Sequence, residues 1–440
     1  MRVAIHAAAE AVVREVGYLN AGTVEFVVSC DDPQEFYFLE VNTRLQVEHP
    51  VTEEVTGLDL VAVQLQVAYA AAHGSPTDSL AATLRACRDN GPCGHAVEAR
   101  VYAEDPARGF LPSAGPLLLA NWPRSIRIDA GVRTSDTVSA GYDPMIAKAI
   151  AYAGDRSAAL TLLADALSQS AVLGVSSNIE FLRTMLADER VRAGAVDTRL
   201  IDRDLDQLVA PAQTPWWLDA VAAAVWANQH ATPAVRRGSA SASAVPACSA
   251  MSSAWSRGWR SGGLPAVVTW RAECGDREVM GQVGRDPGDA ARWLVVLGQQ
   301  RVSVRLAVSD GASTVTFQAT ADSVSESGCL AYALHRSADA DEWWFACEGS
   351  VWTFVCGRAE SAGHIAGSAP EVRSPMPGTV TAVPVARGER VRAGQALVVL
   401  EAMKMEHQVS APHDGTVTEV SCAVGSHVRL REVLAVVAPE

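Results

Sequence analysis

The chain has 440 residues, a formal net charge of −14 and a sequence pI of about 5.2. This length predicts roughly two to four domains, and the acidic balance argues against nucleic acid or an anionic membrane as a partner. The nine cysteines are scattered singly without a Cys-x-x-Cys pair, which indicates reduced thiols and not a disulfide framework or zinc site. Since no apolar run is long enough to span a membrane and the first residues lack a secretory core, we expect a cytoplasmic protein.

The first part of the chain predicts a helix followed by a β-hairpin. Apolar residues recur at helical spacing over residues 2–16 and stop at Gly17, which favours a helix end there. Two strands are then predicted over residues 23–29 and 36–48, joined by a turn that contains Asp and Pro. A hairpin symmetric about that turn sets Glu25 opposite Glu40.

Polar side chains occupy every second position of the second predicted strand, at Glu40, Asn42, Arg44, Gln46 and Glu48. Because side chains alternate between the two faces of a strand, all five are expected on one face. Facing carboxylates repel each other unless a cation lies between them, and Mg²⁺ or Mn²⁺ prefers oxygen ligands such as those of Glu25, Glu40 and Asn42. The guanidinium of Arg44 suits a planar oxyanion such as bicarbonate, and Glu48 beside it is a candidate base. The alternative is the solvated outer face of an antiparallel hairpin, which alternates in the same way.

Residues 40–50, Glu-Val-Asn-Thr-Arg-Leu-Gln-Val-Glu-His-Pro, resemble the signature of biotin carboxylase, an ATP-grasp enzyme. Four later segments, which begin at Gly94, Ala103, Phe110 and Gly141, resemble the C-terminal subdomain of the same family. The resemblance implies a partial ATP-grasp domain followed by that subdomain. It also implies an ATP-dependent ligase that carboxylates biotin with bicarbonate.

The same resemblance implies a role for each polar side chain of the hairpin. Glu25, Glu40 and Asn42 would bind the Mg²⁺ or Mn²⁺ ions that accompany the ATP substrate. Bicarbonate would be held by Arg44, Gln46 and the backbone of Val47. Glu48 would then deprotonate it.

Further along the chain, Arg127 matches the arginine that stabilises the biotin enolate in this family. Arg133 lies at a superficially similar place, and Lys148 is interpreted as structural. A complete biotin carboxylase also carries an upstream part with a glycine-rich lid and lysines that grip ATP. No glycine-rich phosphate loop precedes the hairpin here, so we expect this chain to lack much of the ATP site. A missed upstream start, a separate polypeptide and a decayed copy are all open explanations.

The middle of the chain changes from helical to strand patterns. Residues 150–208 look helical, and a further apolar helix is predicted over residues 215–228. An Ala-, Ser- and Gly-rich connection is expected over residues 231–263. Residues 264–357 then alternate apolar and polar side chains, as strands do.

Ten of the eleven tryptophans lie between Trp216 and Trp352. They are expected either to fill a β-barrel around the helix at 216–228 or to anchor a partner subunit, since Trp is common at binding hot spots. Residues 255–260, Trp-Ser-Arg-Gly-Trp-Arg, are similar to the docking domain of methylcrotonyl- and propionyl-CoA carboxylase α subunits. That similarity implies a carboxyltransferase β subunit as partner, with acyl-CoA bound through it.

The C-terminal part contains an internal duplication, in which Gly378, Gly388, Val391 and Leu397 recur 37 positions later as Gly415, Gly425, Val428 and Leu434. Two copies of a strand–turn–strand unit predict one small β-sandwich that buries the apolar alternation of both copies. The turn between the copies is expected to present Lys404 to solvent.

The Ala-Met-Lys-Met stretch at residues 402–405 resembles the biotin carboxyl carrier domain, a β-sandwich of the biotinyl/lipoyl (hammerhead) type. The resemblance implies biotin bound covalently to Lys404 by a biotin protein ligase. An ordinary surface lysine is the alternative, but only Lys148 and Lys404 among the 36 basic residues are lysines, and arginine cannot supply an amine for acylation. A lipoyl domain has the same fold, although its lysine typically follows an acidic residue.

These features predict a multidomain α+β chain with five parts: an ATP-grasp remnant (1–60), the biotin carboxylase C-terminal subdomain (61–208), a helix and β-barrel-like docking domain (209–357), a flexible linker (358–372) and the biotin carrier (373–440). We expect the α subunit of a biotin-dependent acyl-CoA carboxylase that is incomplete as an isolated chain. One alternative is a non-catalytic carrier served in trans. A more remote one is the lipoyl carrier of a dehydrogenase complex.

Overall fold

The structure, a computed structural model, describes residues 1–28, 32, 35–74, 78–210, 213–231, 267–275, 277–286, 288–308, 313–336, 340–357, 371–402, 405–429 and 432–439. Two compact units divide the chain. Unit 1 comprises Met1–Arg100, Arg124–Asp129 and Lys148–Ala166, and unit 2 comprises Val101–Pro123, Ala130–Ala147 and Leu167–Glu440.

Short helices and strands alternate over the first half of the chain: α1 (Arg2–Glu15), β1 (Thr23–Val28), β2 (Phe36–Asn42), α2 (His49–Thr56), α3 (Leu60–His73), α4 (Asp78–Asn90), β3 (His95–Tyr102), β4 (Glu104–Asp105), β5 (Leu111–Pro112), β6 (Gly115–Pro116), β7 (Leu119–Asn121), β8 (Arg127–Ala130), β9 (Thr137–Val138), β10 (Met145–Ala153), α5 (Arg156–Ser168), β11 (Ala171–Leu173), α6 (Ile179–Ala187), α7 (Glu189–Ala193) and α8 (Leu200–Leu208). Within the described residues, no single helix is long and apolar enough to cross a membrane. The pair α2 and α3 reaches that length and composition only together, across a bend of 94°.

The N-terminal helix and hairpin form as predicted, with one correction. In the antiparallel pair β1–β2, Glu25 lies opposite Glu40, which confirms the expected register. The predicted strand over residues 36–48 is wrong after Asn42, because Asn42 pairs with Thr23, the first residue of β1, and the backbone beyond it has no ladder partner. Pro50 then lies in the first turn of α2, where its fixed φ favours a helix start.

The helical prediction for residues 150–208 holds only in part. The end of β10 and all of β11 are strands, and residues 149–151 of β10 are buried without alternation. A short apolar run of this kind has the same appearance in a buried strand and a buried helix. In α5, Ala159, Leu160 and Leu163 are buried, whereas Ala158 is exposed.

The next part of unit 2 is a closed barrel around a helix: α9 (Leu218–Ala231), β12 (Val267–Cys274), β13 (Arg277–Asp286), β14 (Asp289–Leu297), β15 (Gln300–Val308), β16 (Thr314–Ala321), β17 (Val324–Arg336), β18 (Ala340–Cys347) and β19 (Ser350–Gly357). The strands follow one another around the barrel, and β12 closes it by pairing with β19. Residues 220–224 of α9 have no exposed surface and belong to the same apolar core as the barrel strands. A helix without a polar face is an enclosed helix, and its alanines are narrow enough for the interior of a small barrel.

Most of the described tryptophans of this part pack in the barrel core, whereas Trp344 packs against a separate cluster that includes Ala171 and Leu173. Trp217, Trp270, Trp293 and Trp343 are buried, and the other described tryptophans between 216 and 352 are half-buried. This arrangement favours the barrel-filling interpretation for the described tryptophans. Residues 255–260 lie outside the described residues.

The C-terminal part of the chain is a sandwich of two four-stranded sheets: β20 (Glu371–Arg373), β21 (Gly378–Ala382), β22 (Arg390–Val391), β23 (Ala396–Ala402), β24 (Met405–Ser410), β25 (Gly415–Val420), β26 (His427–Val428) and β27 (Val433–Pro439). The sheet orders are β20-β27-β25-β22 and β24-β23-β21-β26. The sequence offset carries β20–β23 onto β24–β27, so each sheet contains strands from both copies. We call this part the carrier sandwich.

Residues related by the 37-position offset are buried to the same extent, which confirms that both copies contribute to one core. Leu397 and Leu434 have no exposed surface, and Val391 and Val428 are each 4% exposed. Gly388 and Gly425 adopt φ values of +88° and +84°, a region that glycine enters without steric cost. The barrel and the sandwich therefore confirm the predicted multidomain α+β fold class.

Three predicted features fall wholly or largely outside the described residues. They are Lys404, the connection over residues 231–263 and the linker over residues 358–372. Of these two segments, only Ala231, the last residue of α9, and residues 371–372, in β20, are described.

Candidate active site

The three predicted metal ligands lie together on the β1–β2 hairpin of unit 1. The Asn42 Nδ2 atom donates to Glu25 Oε1 at 2.7 Å and to Glu40 Oε1 at 3.2 Å. The amide therefore separates two carboxylates that face each other across the strands. This contact explains how both acidic side chains share one surface, since facing like charges would otherwise destabilise the pair.

These residues fit a hard divalent cation in part. Two carboxylates and the amide oxygen of Asn42 provide oxygen donors within one small area, and the amide can present that oxygen by a flip. Mg²⁺ typically takes one or two carboxylates from the protein and its remaining ligands from phosphate and water. Among the described residues no three His, Cys, Asp or Glu side chains converge as a metal site.

The predicted bicarbonate residues form a short irregular segment between β2 and α2. Arg44 Nη1 donates to Gln46 Oε1 at 2.8 Å, so these two side chains are in contact although the strand that was expected to align them ends at Asn42. The carbonyl oxygen of Val47 accepts a hydrogen bond from Lys148 Nζ at 3.1 Å. Glu48 Oε2 is bound by Arg100 Nη2 at 2.8 Å, and both side chains are about half exposed.

Arg127, on β8, is held by carboxylates on two sides. Its Nε and Nη2 atoms bind both oxygens of Asp129 at 3.0 and 3.1 Å, and Nη1 binds Glu53 Oε2 at 2.8 Å. Glu54 Oε1 lies 3.6 Å from the same Nη1. The hydrogen bonds from Asp129 and Glu53 raise the pKa of Arg127, so this side chain is a permanent cation.

Arg127 also lines a cavity of about 590 Å³ in unit 1, together with Glu53, Glu54, Gly57, Leu58, Asp59 and Val61. The Glu53 side chain is itself held in place, because its Oε1 atom accepts a hydrogen bond from the backbone N–H of Leu60 at 2.7 Å. The guanidinium is thus positioned at the edge of a wide, open depression in the surface of unit 1.

Lys148, on β10, joins the two groups of residues. Its Nζ atom contacts the Val47 carbonyl and lies 3.4 Å from Asp129 Oδ2, and its side chain is only 12% exposed. Burial alone would raise the pKa of Asp129, but the hydrogen bonds and charge of Arg127, with the charge of Lys148, lower it overall. Asp129 therefore stays ionised between two cations.

Glu98, on β3, is a buried carboxylate beside the same cations. Its side chain is 5% exposed, neither oxygen has a hydrogen-bond partner, and Arg100 Nε lies 4.0 Å from Oε1. Burial raises the pKa of Glu98, and the charges of Lys148 and Arg100 only partly offset that effect. We call the connected set Glu48, Glu53, Glu98, Arg100, Arg127, Asp129 and Lys148 the charged network.

The sequence analysis assigned no role to Glu53, Glu98, Arg100 or Asp129. Two of them carried a readable signal, because Asp129 follows Arg127 by two positions and Arg100 follows Glu98 by two, a spacing that puts both members of a pair on one strand face. The meeting of β3, β8 and β10 in one sheet brings the pairs together across the sequence. No local pattern encodes that meeting.

The hairpin that carries Lys404 is described on both sides of the lysine. Strand β23 ends at Ala402, which pairs with Met405 at the start of β24. Met403 and Lys404 themselves lie outside the described residues.

Three family models match the chain. The model for the carbamoyl-phosphate synthase L chain, ATP binding domain, matches residues 1–73, and the model for the biotin carboxylase C-terminal domain matches residues 98–203. The model described as biotin-requiring enzyme matches residues 370–437. These matches cover the candidate active site and the carrier sandwich.

The curated relatives extend the similarity through the barrel. The mitochondrial methylcrotonoyl-CoA carboxylase subunit alpha of Arabidopsis thaliana is 34% identical over 442 residues, which is 91% of this chain and 56% of the relative. The chain belongs to the family of biotin-dependent acyl-CoA carboxylase α subunits. The mitochondrial propionyl-CoA carboxylase alpha chain of Homo sapiens is 45% identical over 197 residues, 44% of this α-subunit chain and 25% of the relative.

This α-subunit chain spans about half the length of the methylcrotonoyl-CoA carboxylase relative, 56% for the plant protein. A solved structure of the biotin carboxylase domain of Hydrogenobacter thermophilus 2-oxoglutarate carboxylase, in complex with MgADP, ADP and bicarbonate, is 32% identical over 46% of this chain and 42% of that chain, with a TM-score of 0.41.

The comparisons confirm the predicted family and fold class, including the partial ATP-grasp domain with its biotin carboxylase C-terminal subdomain. The predicted cytoplasmic location is wrong, because the α subunits that the chain resembles in plant, rat, mouse and human are mitochondrial proteins. Scattered reduced cysteines argue against an oxidising compartment, but they do not distinguish one reducing compartment from another.

Proposed function

We propose that the chain provides the biotin carboxylase and biotin carrier parts of an acyl-CoA carboxylase. It would use ATP and bicarbonate to carboxylate carrier biotin and would deliver the carboxyl group to a carboxyltransferase partner. The supporting observation is the joining of the bicarbonate segment 44–48 to Arg127 through Lys148 and Asp129. In this proposal residues 1–60 and 61–208 form the carboxylase part, 209–357 the docking part and 373–440 the carrier.

Bicarbonate binding and deprotonation fall to the segment between β2 and α2. Arg44 and Gln46 meet at 2.8 Å, so a planar anion can receive hydrogen bonds from both side chains. Glu48 accepts the bicarbonate proton as a general base. Arg100 orients the Glu48 carboxylate through the contact at 2.8 Å.

Glu25, Glu40 and Asn42 would hold the Mg²⁺ or Mn²⁺ ions of the ATP substrate. These ions supply Lewis-acid stabilisation of the charge that develops on the transferred phosphoryl group. The two carboxylates offer the negative charge that a divalent cation requires. The amide of Asn42 keeps them together before the metal arrives.

Biotin, when bound, supplies a ureido nitrogen that accepts the carboxyl group. Arg127 would stabilise negative charge on that acceptor, since it is a fixed cation at the wall of the cavity. Lys404 would carry the group through an amide bond. The pairing of Ala402 with Met405 fits this task, because it leaves only Met403 and Lys404 to connect two strands of a stable sandwich.

Intact-mass spectrometry after co-expression with a biotin protein ligase tests the carrier part. We expect one biotin adduct on the unmodified sequence and on Lys148→Arg, and none on Lys404→Arg. A lipoyl adduct would support a dehydrogenase-complex carrier instead. No adduct on any variant would overturn the carrier proposal.

Bicarbonate-dependent ATP hydrolysis with free biotin tests the carboxylase part. Turnover that disappears in Arg44→Met and Glu48→Gln but survives in Arg133→Met, an exposed arginine outside the site, would support it. Biotin attachment without any bicarbonate-dependent hydrolysis would favour a carrier whose biotin is carboxylated by another protein.

A carboxyltransferase β subunit, with acyl-CoA bound through it, is proposed as the partner on the basis of the α-subunit family. Most described tryptophans of the barrel pack in its core, and Trp344 packs against Ala171 and Leu173, so they do not carry this part of the proposal. Co-purification of a co-expressed β subunit with the chain, and its loss on Trp255→Ala or Trp259→Ala, would support docking through residues 255–260.

A further inference from the structure

We infer that the hairpin formed by β4 and β5 is a binding surface for the carrier sandwich of the same chain. We call this hairpin, residues 104–112, the carrier-facing hairpin. It belongs to the segment that the biotin carboxylase C-terminal domain model matches, and it lies in unit 2 together with the carrier sandwich. The inference rests on the proposed function for its purpose, because a carrier of carboxyl groups has to be seated at the carboxylase part of the chain before it leaves for a partner.

The carrier-facing hairpin is anchored on its own subdomain. Strands β4 and β5 pair in antiparallel fashion, and a 3₁₀ turn over Pro106–Arg108 connects them. Phe110 packs edge-to-face against Phe181 of α6, with ring centroids 5.2 Å apart, and Pro112 is buried. Because successive side chains of a strand point to opposite faces, Leu111 points away from the face on which Pro112 is buried.

Leu111 provides the apolar contact with the carrier. Its half-buried side chain packs against the apolar core of the carrier sandwich, the cluster that includes Val380, Leu400 and Leu434. A leucine on the outer face of a hairpin gains stability only when another surface removes it from water. The carrier sandwich is the surface that does so here.

The charges of the two surfaces also correspond. Burial lowers the pKa of the His407 imidazole on β24, and the positive charge of Arg108 on the carrier-facing hairpin lowers it further. Glu406, the neighbour of His407, pairs with Glu401 of β23, and both glutamates are exposed. Since facing carboxylates repel each other, a cation is attracted to this end of the sandwich.

The seated end of the sandwich is the end that would carry biotin. His407 follows Met405 by two residues, and the backbone of Met405 pairs with Ala402 where the β23–β24 hairpin closes. At about 3.3 Å per residue along a strand, His407 lies roughly 7 Å from that closing pair. The carrier-facing hairpin therefore acts on the sandwich beside the turn whose sequence contains Lys404.

A weak seat is sufficient for this purpose. The carrier-facing hairpin and the carrier sandwich belong to one chain, so each has a high effective concentration around the other, and few contacts are needed to populate the seated state. A tighter seat would slow the departure of the carrier toward a carboxyltransferase partner. One leucine contact combined with a charge attraction that salt screens meets both requirements.

Nuclear magnetic resonance titration of the histidine rings in the full chain tests the seated state without any need for turnover. We expect the pKa of His407 to rise in Leu111→Asn, because the carrier leaves the seat and Arg108 no longer acts on it. Arg108→Gln, a change at an exposed side chain, should also raise that pKa. Leu294→Asn, the same substitution at an exposed leucine of the barrel, is the matched control and should leave it unchanged.

Backbone ¹⁵N relaxation gives a second readout. In Leu111→Asn the amides of residues 371–439 should tumble faster than in the unmodified chain, while those of the barrel keep their rate. An unaltered His407 pKa in both Leu111→Asn and Arg108→Gln, or a His407 shift that appears only at high protein concentration, would overturn the inference. Absence of biotin on Lys404 would contradict the proposed function without changing either readout, so the two failures are distinguishable.

Discussion

The carrier sandwich and the charged network are built on opposite principles. The sandwich is apolar, repeats itself and would place its chemistry on one amine at a turn. The network has seven charged side chains from four segments. Six of them contact a group of opposite charge, and Glu98 is buried near Arg100 without a hydrogen-bond partner. A carrier needs a stable support and a reactive tip, whereas a catalytic site needs several charges in fixed relation to each other.

This difference sets how each region responds to change. Loss of apolar volume should damage the sandwich through its core, with a similar effect at symmetry-related positions. Loss of one charge should damage the network through the partner that is left behind.

Leu397→Ala and Leu434→Ala should each destabilise the carrier sandwich by about 2–5 kcal/mol, the usual result of emptying a fully buried leucine site. Both residues have no exposed surface, and they are mates of the duplication. Hydrogen exchange of residues 371–439 measures the loss, with exposed Val424→Ala as the control. Clearly unequal losses would show that the two copies do not share the core evenly.

Glu53→Ala should destabilise the α2 and β8 region by about 1–3 kcal/mol, since it leaves Arg127 and the Leu60 N–H without a buried acceptor. Glu54→Ala is the matched control, because Glu54 lies 3.6 Å from Arg127 and is more exposed; it should cost less than about 1 kcal/mol. Exchange rates of peptides from α2 and β8 compare the two variants. Equal losses would contradict the importance of Glu53.

Asn42→Ala should destabilise the β1–β2 hairpin by about 1 kcal/mol in the absence of divalent cations, because Glu25 and Glu40 would face each other without the bridging amide. Added Mg²⁺ should restore most of that stability. Asn42→Asp adds a third carboxylate and should respond to Mg²⁺ more strongly than the unmodified chain. Thermal unfolding with and without Mg²⁺ measures all three, and an Asn42→Ala variant indifferent to Mg²⁺ would argue against a metal site.

Glu104→Gln should change only the pH dependence of stability. Burial raises the pKa of Glu104 from 4.5 to about 7, although a hydrogen bond from Asn178 lowers it in part. The folded chain therefore holds this proton more tightly than the unfolded chain, and stability falls as pH rises from 4.5 to about 7. Glu104→Gln should flatten the melting temperature across that window, whereas exposed Glu189→Gln should not.

Much of the fold was predictable because its signals are local or repetitive. The offset between Leu397 and Leu434 predicted the sandwich, and alternation at Val302, Val304 and Val315 predicted barrel strands. The pattern failed at residues 43–48, where alternation of polar side chains continued beyond the strand. Polar periodicity cannot reveal where a neighbouring strand ends, and β1 begins at Thr23.

The site residues that lie in recognisable sequence motifs could be predicted. The residues that bind and orient them could not. Arg44, Gln46, Glu48 and Arg127 were identified through family resemblance. Their partners Glu53, Arg100 and Asp129 belong to the same stretches of sequence, but a carboxylate or arginine on a strand is usually solvated. Only contact with a specific opposite charge distinguishes such a partner residue from an ordinary charged residue on the surface.

The apolar periodicities, the duplicated carrier half and the scarcity of lysine can be read from the amino-acid sequence, because each of these is a property of residues near one another or at a constant offset. The tertiary structure alone decided that Lys148 meets Val47 and Asp129 and that Asn42 separates two carboxylates. Such contacts depend on which strands become neighbours and on where each strand stops. Two charges interact strongly only when they lie a few ångströms apart in space. Their separation along the sequence does not give that distance.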